Sequence, residues 1–268
     1  MIIQNTFGIE RVPFTKADTL LPQQQAIFDI IQIHAQHGGF TVIVGQPGVG
    51  KSSLKRYVEQ LSQQKDTEVV SISQTLHTYG KLIKQLATAM KIDAPEKQLE
   101  KELIQHAYRV VQERKSLYTL IDEAHLLDMD TLRKLRLLFD RYPAKHNLVL
   151  LGQPDLLQRL AMKVNADLKS RITYSANLLP LNDFDLEQFI MNQLERAKLG
   201  INTFDDGAIE VVLRNAQGNL RLCCNLCHAG LIEACRENQT IVTLRHINQV
   251  LVQPHWRSHE QLIEQQVR

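Results

Sequence analysis

No run of about 18 consecutive apolar residues occurs in the sequence, so no transmembrane helix is expected. The opening MIIQNTFGIERVPF has neither a basic start nor a long apolar core and does not read as a secretion signal, so a cytoplasmic location is expected. No repeat and no low-complexity segment stands out. Charge of one sign is hardly in excess: 31 Lys and Arg against 29 Asp and Glu leave +2, so the balance alone names no partner. Cysteine is scarce and confined. Cys223, Cys224, Cys227 and Cys235 fall in one predicted helix, where a cytoplasmic chain has no need of disulfides. Cys224-Asn-Leu-Cys227-His228 has the C-x-x-C-H spacing of haem attachment, but export is not signalled and no second ligand pair lies at finger spacing. Packing of small apolar side chains within a helix is the expected role. There is no zinc-finger spacing and no clear helix-turn-helix signature, so sequence-specific base readout is not expected.

The chain is 44% hydrophobic and 22% charged, ordinary for a globular protein, and its 268 residues suit one large α/β unit with a small appendage. Short apolar runs at Val42–Val44, Glu68–Ile72, Leu117–Ile121 and Leu148–Leu151 read as strands, and the loose alternation over Arg171–Leu178 is a candidate fifth. Between them, Lys51–Gln64, Tyr79–Met90, Glu96–Arg114, Asp130–Tyr142 and Pro154–Met162 read as helices. That alternation predicts a parallel sheet with helices on both faces. Beyond Pro180 the pattern is helical only: Asp183–Lys198, Asp205–Asn215, Leu220–Glu237 and Leu244–Val252. Asp183 and Asp205 are expected to cap helix starts, and Gly200 and Gly218 to follow helix ends. The expected division is an α/β domain over 1–180, a helical domain over 181–252 and a polar tail over 253–268.

Gly45-Gln46-Pro47-Gly48-Val49-Gly50-Lys51-Ser52 satisfies G-x-x-x-x-G-K-[ST], and Ser53 follows it. Glycines let backbone N–H groups turn around a β-phosphate, Lys51 reaches the β/γ-phosphates and Ser52 offers a hydroxyl to Mg²⁺. The motif lies between a strand and an amphipathic helix whose positive dipole end adds to the site. Leu117 to Ile121 then runs into Asp122-Glu123, the pattern of a Walker B strand. Asp122 is expected to orient Mg²⁺, and Glu123 to polarise the attacking water. The substrate is expected to be ATP or a close relative.

With both motifs placed, the chain resembles the AAA+ ATPases, an α/β P-loop fold followed by a small helical lid. The resemblance implies further roles. Gln153, after Leu148-Val-Leu-Leu-Gly152, takes the place of the sensor 1 residue. Arg171, with Lys169 as rival, takes the place of an arginine finger acting on a neighbouring subunit. Arg221 of Gly218-Asn-Leu-Arg221 takes the place of a sensor 2 arginine. More narrowly, the chain resembles the ExeA/GspA-like branch. Phe7-Gly8 with Pro13-Phe14, Ile121-Asp122-Glu123-Ala124-His125-Leu126-Leu127 and Leu151-Gly152-Gln153-Pro154-Asp155-Leu156 carry this likeness. In that branch the N-terminal segment lies near the nucleotide base.

Secretion members of the branch carry a membrane span and a cell-wall-binding domain, and neither is found in residues 1–268. The soluble members are similar to transposition regulators of the MuB, TnsC and TniB kind, and Val252-Gln-Pro254-His-Trp256-Arg257 resembles them too. This likeness implies ATP-dependent, sequence-independent binding of double-stranded DNA, self-association into a ring or filament, and a transposase as partner, with no membrane. Arg133, Lys134, Arg136, Arg141 and Lys145 form one basic cluster that could meet phosphates, and Lys163, Lys169 and Arg171 another. A solvated helix face explains either cluster equally well. The alternatives are a secretion or pilus assembly ATPase and a nucleotide switch acting on a protein partner.

Overall fold

The computed structural model describes residues 2–15, 19–73 and 78–256. Helices α1 (Ile2–Phe7) and α2 (Pro22–His37) precede β1 (Gly39–Gly45), α3 (Lys51–Gln60) and β2 (Thr67–Ile72). Then follow α4 (Tyr79–Ala89), α5 (Leu99–Gln112), β3 (Ser116–Ile121), α6 (Met129–Phe139) and β4 (His146–Gly152). Next come α7 (Pro154–Ala161), α8 (Ala166–Lys169), β5 (Tyr174–Leu178), α9 (Asp183–Arg196), α10 (Asp206–Ala216), α11 (Leu220–Arg236) and α12 (Leu244–Leu251). The described chain forms two compact units, Thr19–Leu179 and Met1–Asp18 with Pro180–Arg268.

The first unit is the expected α/β fold. Its five strands are all parallel, in the order β2-β3-β4-β1-β5. Strands buried on both faces read as continuous apolar runs, and β4 is buried throughout. Alternate residues feed opposite layers. Val42, Val44, Leu148 and Leu150 meet Leu82, Leu103, Leu135 and Leu156 of the helices on one face. Ile43, Val149 and Leu151 meet Ile27, Ile31, Leu54 and Val58 on the other. Helix α2, which supplies Ile27 and Ile31, is not among the elements the sequence predicts. Its Ile33 is 63% exposed, so apolar residues on more than one face blur the helical period. The expected strand from Arg171 begins only at Tyr174, because Arg171 N and Ile172 N continue the turn of α8 to Leu168 O and Lys169 O.

The second unit holds the predicted helices. Asn182, not Asp183, caps α9, accepting from Asp185 N at 2.7 Å. Asp205 caps α10, accepting from Ala208 N at 2.6 Å. Lys198, not Gly200, takes the left-handed position after α9 (φ 59°), because Leu199 N closes the turn on Leu194 O. Gly218 does follow α10 in the left-handed region (φ 75°). Cys223, Cys227 and Cys235 are buried in α11. Burial pushes the Cys224 thiol up to about 12 and that of Cys227 upward too, which keeps them protonated. The sequence reading places the first residues with the sheet; they group instead with these helices. Ile3, Ile9 and Phe14 are buried, α1 packs on α11, and Phe14 meets Phe204 edge-on at 6.1 Å. Of the expected tail, 257–268 lie outside the described residues, Arg257 included. No helix among the described residues is long and apolar enough to cross a membrane.

Candidate nucleotide-binding site

Strand β1 delivers Gly45 to the carboxyl edge of the sheet, where ligands of open α/β folds bind. A Cβ on Gly45 would stand 2.7 Å from Val49 Cγ2 and 2.8 Å from Leu178 O, so only glycine fits. Gly48 (φ 89°) and Gly50 (φ 104°) take left-handed backbone, which turns the loop back into α3. Val49 is buried and anchors the turn in the core. Gln24 of α2, also buried, donates from Nε2 to Gly50 O at 3.2 Å while its Oε1 accepts from Leu21 N. Lys51 is 8% exposed, and its Nζ donates to Gly45 O at 2.6 Å and Gln46 O at 3.0 Å. The ammonium thus lies across its own loop, where the phosphates of a nucleotide would compete for it. Gln46, Pro47 and Ser52 are exposed, and Ser53 is half-buried.

The neighbouring strands bring the acidic pair to the same edge. Val44 pairs with Gly152, and Ile121 with Leu150, so Gly45 and Gln153 leave their strands side by side and Asp122 leaves β3 two residues earlier, all at the carboxyl edge. Asp122 N donates to Ile72 O, and Asp122 Oδ1 accepts from Glu123 N at 2.9 Å. Asp122 Oδ2 lies 3.7 Å from Lys55 Nζ, which also donates to Ser73 Oγ at 2.7 Å and pairs with Glu59 at 3.3 Å. Glu123 has left-handed backbone (φ 53°), and its carboxylate lies 3.4 Å from His125 Nδ1. The Ser52 hydroxyl and the Asp122 carboxylate are oxygen donors of the kind Mg²⁺ takes, so the residues present fit that ion.

The sequence reading missed Lys55 and Gln24. Lys55 left a signal, a lysine one turn after Lys51 beside buried Leu54 and Val58. Gln24 left none, because its partner Gly50 is 26 positions away.

Gln153 is the N-cap residue of α7, directly after β4. Arg171 lies before β5, whose Tyr174 pairs with Thr41 while Leu178 pairs with Gly45. It therefore stands toward the amino edge of the sheet, away from the P-loop of its own chain, with a guanidinium 3.6 Å from Asp140. Arg221 is exposed in the first turn of α11 in the helical unit, where Asn219 Oδ1 accepts from its N–H at 3.0 Å.

The basic residues are mostly ion-paired. Arg133 donates to Val164 O at 3.2 Å and to Asn165 Oδ1 at 2.6 Å. Lys134 pairs with Asp130 at 2.7 Å, Arg136 with Asp140 at 3.0 Å, and Arg141 with Glu100 at 3.9 Å. Lys145, Lys163 and Lys169 are exposed.

Comparison with known proteins agrees with the α/β fold. The AAA domain family model matches residues 33–160, from the end of α2 through α7. General secretion pathway protein A of Aeromonas hydrophila is 30% identical over 205 residues, 74% of this chain. The chain spans 37% of that protein's length. Among solved structures, Cdc6p from Pyrobaculum aerophilum superposes with a TM-score of 0.69 at 16% identity, over 89% of this chain and 68% of that one. Drosophila ORC bound to DNA gives 0.71 at 18% identity, over 97% and 67%. The ORC2 protein of Aeropyrum pernix, seen with ADPNP and ADP, gives 0.71 at 13% identity, over 97% and 74%. Residues 33–160 therefore match the AAA domain family, and the chain has the P-loop nucleoside-triphosphatase fold and resembles General secretion pathway protein A in sequence.

Proposed function

We propose that the chain hydrolyses ATP and uses its ATP-bound state to assemble with further copies of itself. The observation that carries this reading is the convergence of Lys51, Asp122 and Glu123 at one edge of the sheet. Lys51 would leave its carbonyls for the β/γ-phosphates. Glu123 would orient a water for attack on the γ-phosphorus and take its proton. The bond from that phosphorus to the bridging oxygen then breaks, leaving ADP and phosphate. Mg²⁺, held by Ser52 and Asp122, would screen the phosphate charge. Gln153 and Arg221 would read the γ-phosphate within a subunit, and Arg171 would reach that of a neighbour.

For the cellular role, we favour an assembly ATPase of envelope machinery, since General secretion pathway protein A shares 30% identity with this chain. A second reading is ATP-dependent DNA binding. It is supported by the fold shared with Drosophila ORC bound to DNA and by the exposed Lys134, Lys163 and Lys169. Presentation of target DNA to a transposase extends that second reading and rests on the sequence resemblance.

Glu123→Gln separates binding from hydrolysis. Phosphate release should fall by about 100-fold or more, while sedimentation shows an ATP-dependent assembly that persists. Turnover at the wild-type rate would remove Glu123 from the reaction. The same variant, titrated with duplex DNA, tests the partner: ATP-dependent binding that weakens with salt favours the DNA reading, and its absence at low salt favours the envelope reading.

A further inference from the structure

We propose that Arg159 is a positioning residue for hydrolysis, its guanidinium tying the loop that carries Glu123 to α7, the helix that starts behind Gln153. The proposal rests on the ATP hydrolysis inferred above. Arg159 Nη1 donates to Leu127 O at 3.1 Å and Nη2 donates to His125 O at 2.5 Å. The first carbonyl belongs to Leu127, which closes the short turn Ala124–Leu126, and the second lies within that turn, whose N-cap residue is Glu123. A glutamate in left-handed backbone is strained and persists only where its surroundings over-determine it. Buried Ala124 and the bonds from Leu126 N to Glu123 O and from Leu127 N to Ala124 O hold the turn from inside. Arg159 holds it from outside, with a planar fork that spans both carbonyls at once.

The clamp is itself held. Arg159 lies 3.7 Å from Asp155 on its own helix, and its carbonyl accepts from Asn165 Nδ2 at 2.7 Å. Asn165 is buried and takes the Arg133 guanidinium on its Oδ1. At the other end of α7, a Cβ on Gly152 would stand 3.2 Å from His125 N, so the end of β4 already touches the same loop. One helix thus begins behind Gln153, the residue proposed to read the γ-phosphate, and near its end grips the turn that carries Glu123. A shift of Gln153 on contact with that phosphate is passed through α7 and the fork to Glu123. The guanidinium of Arg159 is engaged with His125 O and Leu127 O, outside the P-loop, so its loss should spare nucleotide binding.

The test compares Arg159→Gln and Arg159→Lys with the wild-type chain; a lysine keeps the charge but lacks the planar fork. A fluorescent ATP analogue should bind each variant within about twofold of wild type. Turnover should fall roughly 10- to 100-fold for Arg159→Gln. Amide exchange should quicken over 123–128 and stay unchanged over α3. Wild-type turnover in Arg159→Gln, or turnover lost in step with ATP affinity and melting temperature, overturns the proposal. If the wild-type chain releases no phosphate, hydrolysis itself fails. Exchange then judges the tether alone: local quickening over 123–128 supports it, and unchanged exchange contradicts it.

Discussion

Lys55 shows what a single residue adds beyond a motif. It lies one turn past Lys51, is 8% exposed, and meets Asp122, Glu59 and Ser73 from one ammonium. An ammonium so enclosed is shared by three partners, and each of them loses from its removal. Lys55→Met should therefore lower stability by about 1–3 kcal/mol, read as a lower urea midpoint at unchanged slope. An unchanged midpoint would show that the carboxylate of Asp122 does not depend on this lysine. Residues such as Lys51, Asp122 and Glu123 were legible because their spacing to glycine and to an apolar run is itself the signal. Gln24 and Arg159 act on residues that meet them only once the sheet has formed, so no local pattern marks them, and Lys55 is marked only by its place one turn after Lys51.

At the scale of the element, the strands were legible because parallel, doubly buried strands leave unbroken apolar runs. Their ends were not. β4 extends to His146, whose imidazole is buried, hydrogen-bonded to Thr119 and pushed down to about 3 by burial, so a polar letter sits at a core position. Helix ends depended on which of two adjacent polar residues turned its side chain inward, as Asn182 does beside Asp183. The start of α11 at Leu220 was read correctly, and its cap is a further case. Asn219 Oδ1 accepts from both Arg221 N and Leu222 N, which fixes the turn that presents Arg221. Asn219→Ala should cost about 0.5–2 kcal/mol of unfolding free energy, measured by urea titration. No loss would mean that the turn is set by Gly218 alone. Gly218 is constrained from the other side, since a Cβ there would stand 2.2 Å from Leu181 O.

At the scale of the whole molecule, the sheet separates the two charges that hydrolysis is proposed to bring together. The P-loop leaves β1 at the carboxyl edge, beside Leu178 of β5, whereas Arg171 precedes Tyr174 at the start of that strand. An arginine placed there would serve a phosphate only in another copy, so the proposed reaction would belong to an assembly rather than to one chain. ATP bound between copies would then favour the assembled state by its differential affinity, and release of phosphate would withdraw that preference. The direct test mixes two variants that are each inactive alone. Lys51→Ala loses its own P-loop but keeps Arg171; Arg171→Ala keeps the P-loop but lacks the donated charge. Phosphate release from the mixture should rise above the sum of the separate variants and increase with protein concentration. Release equal to that sum at every concentration would contradict a site shared between copies.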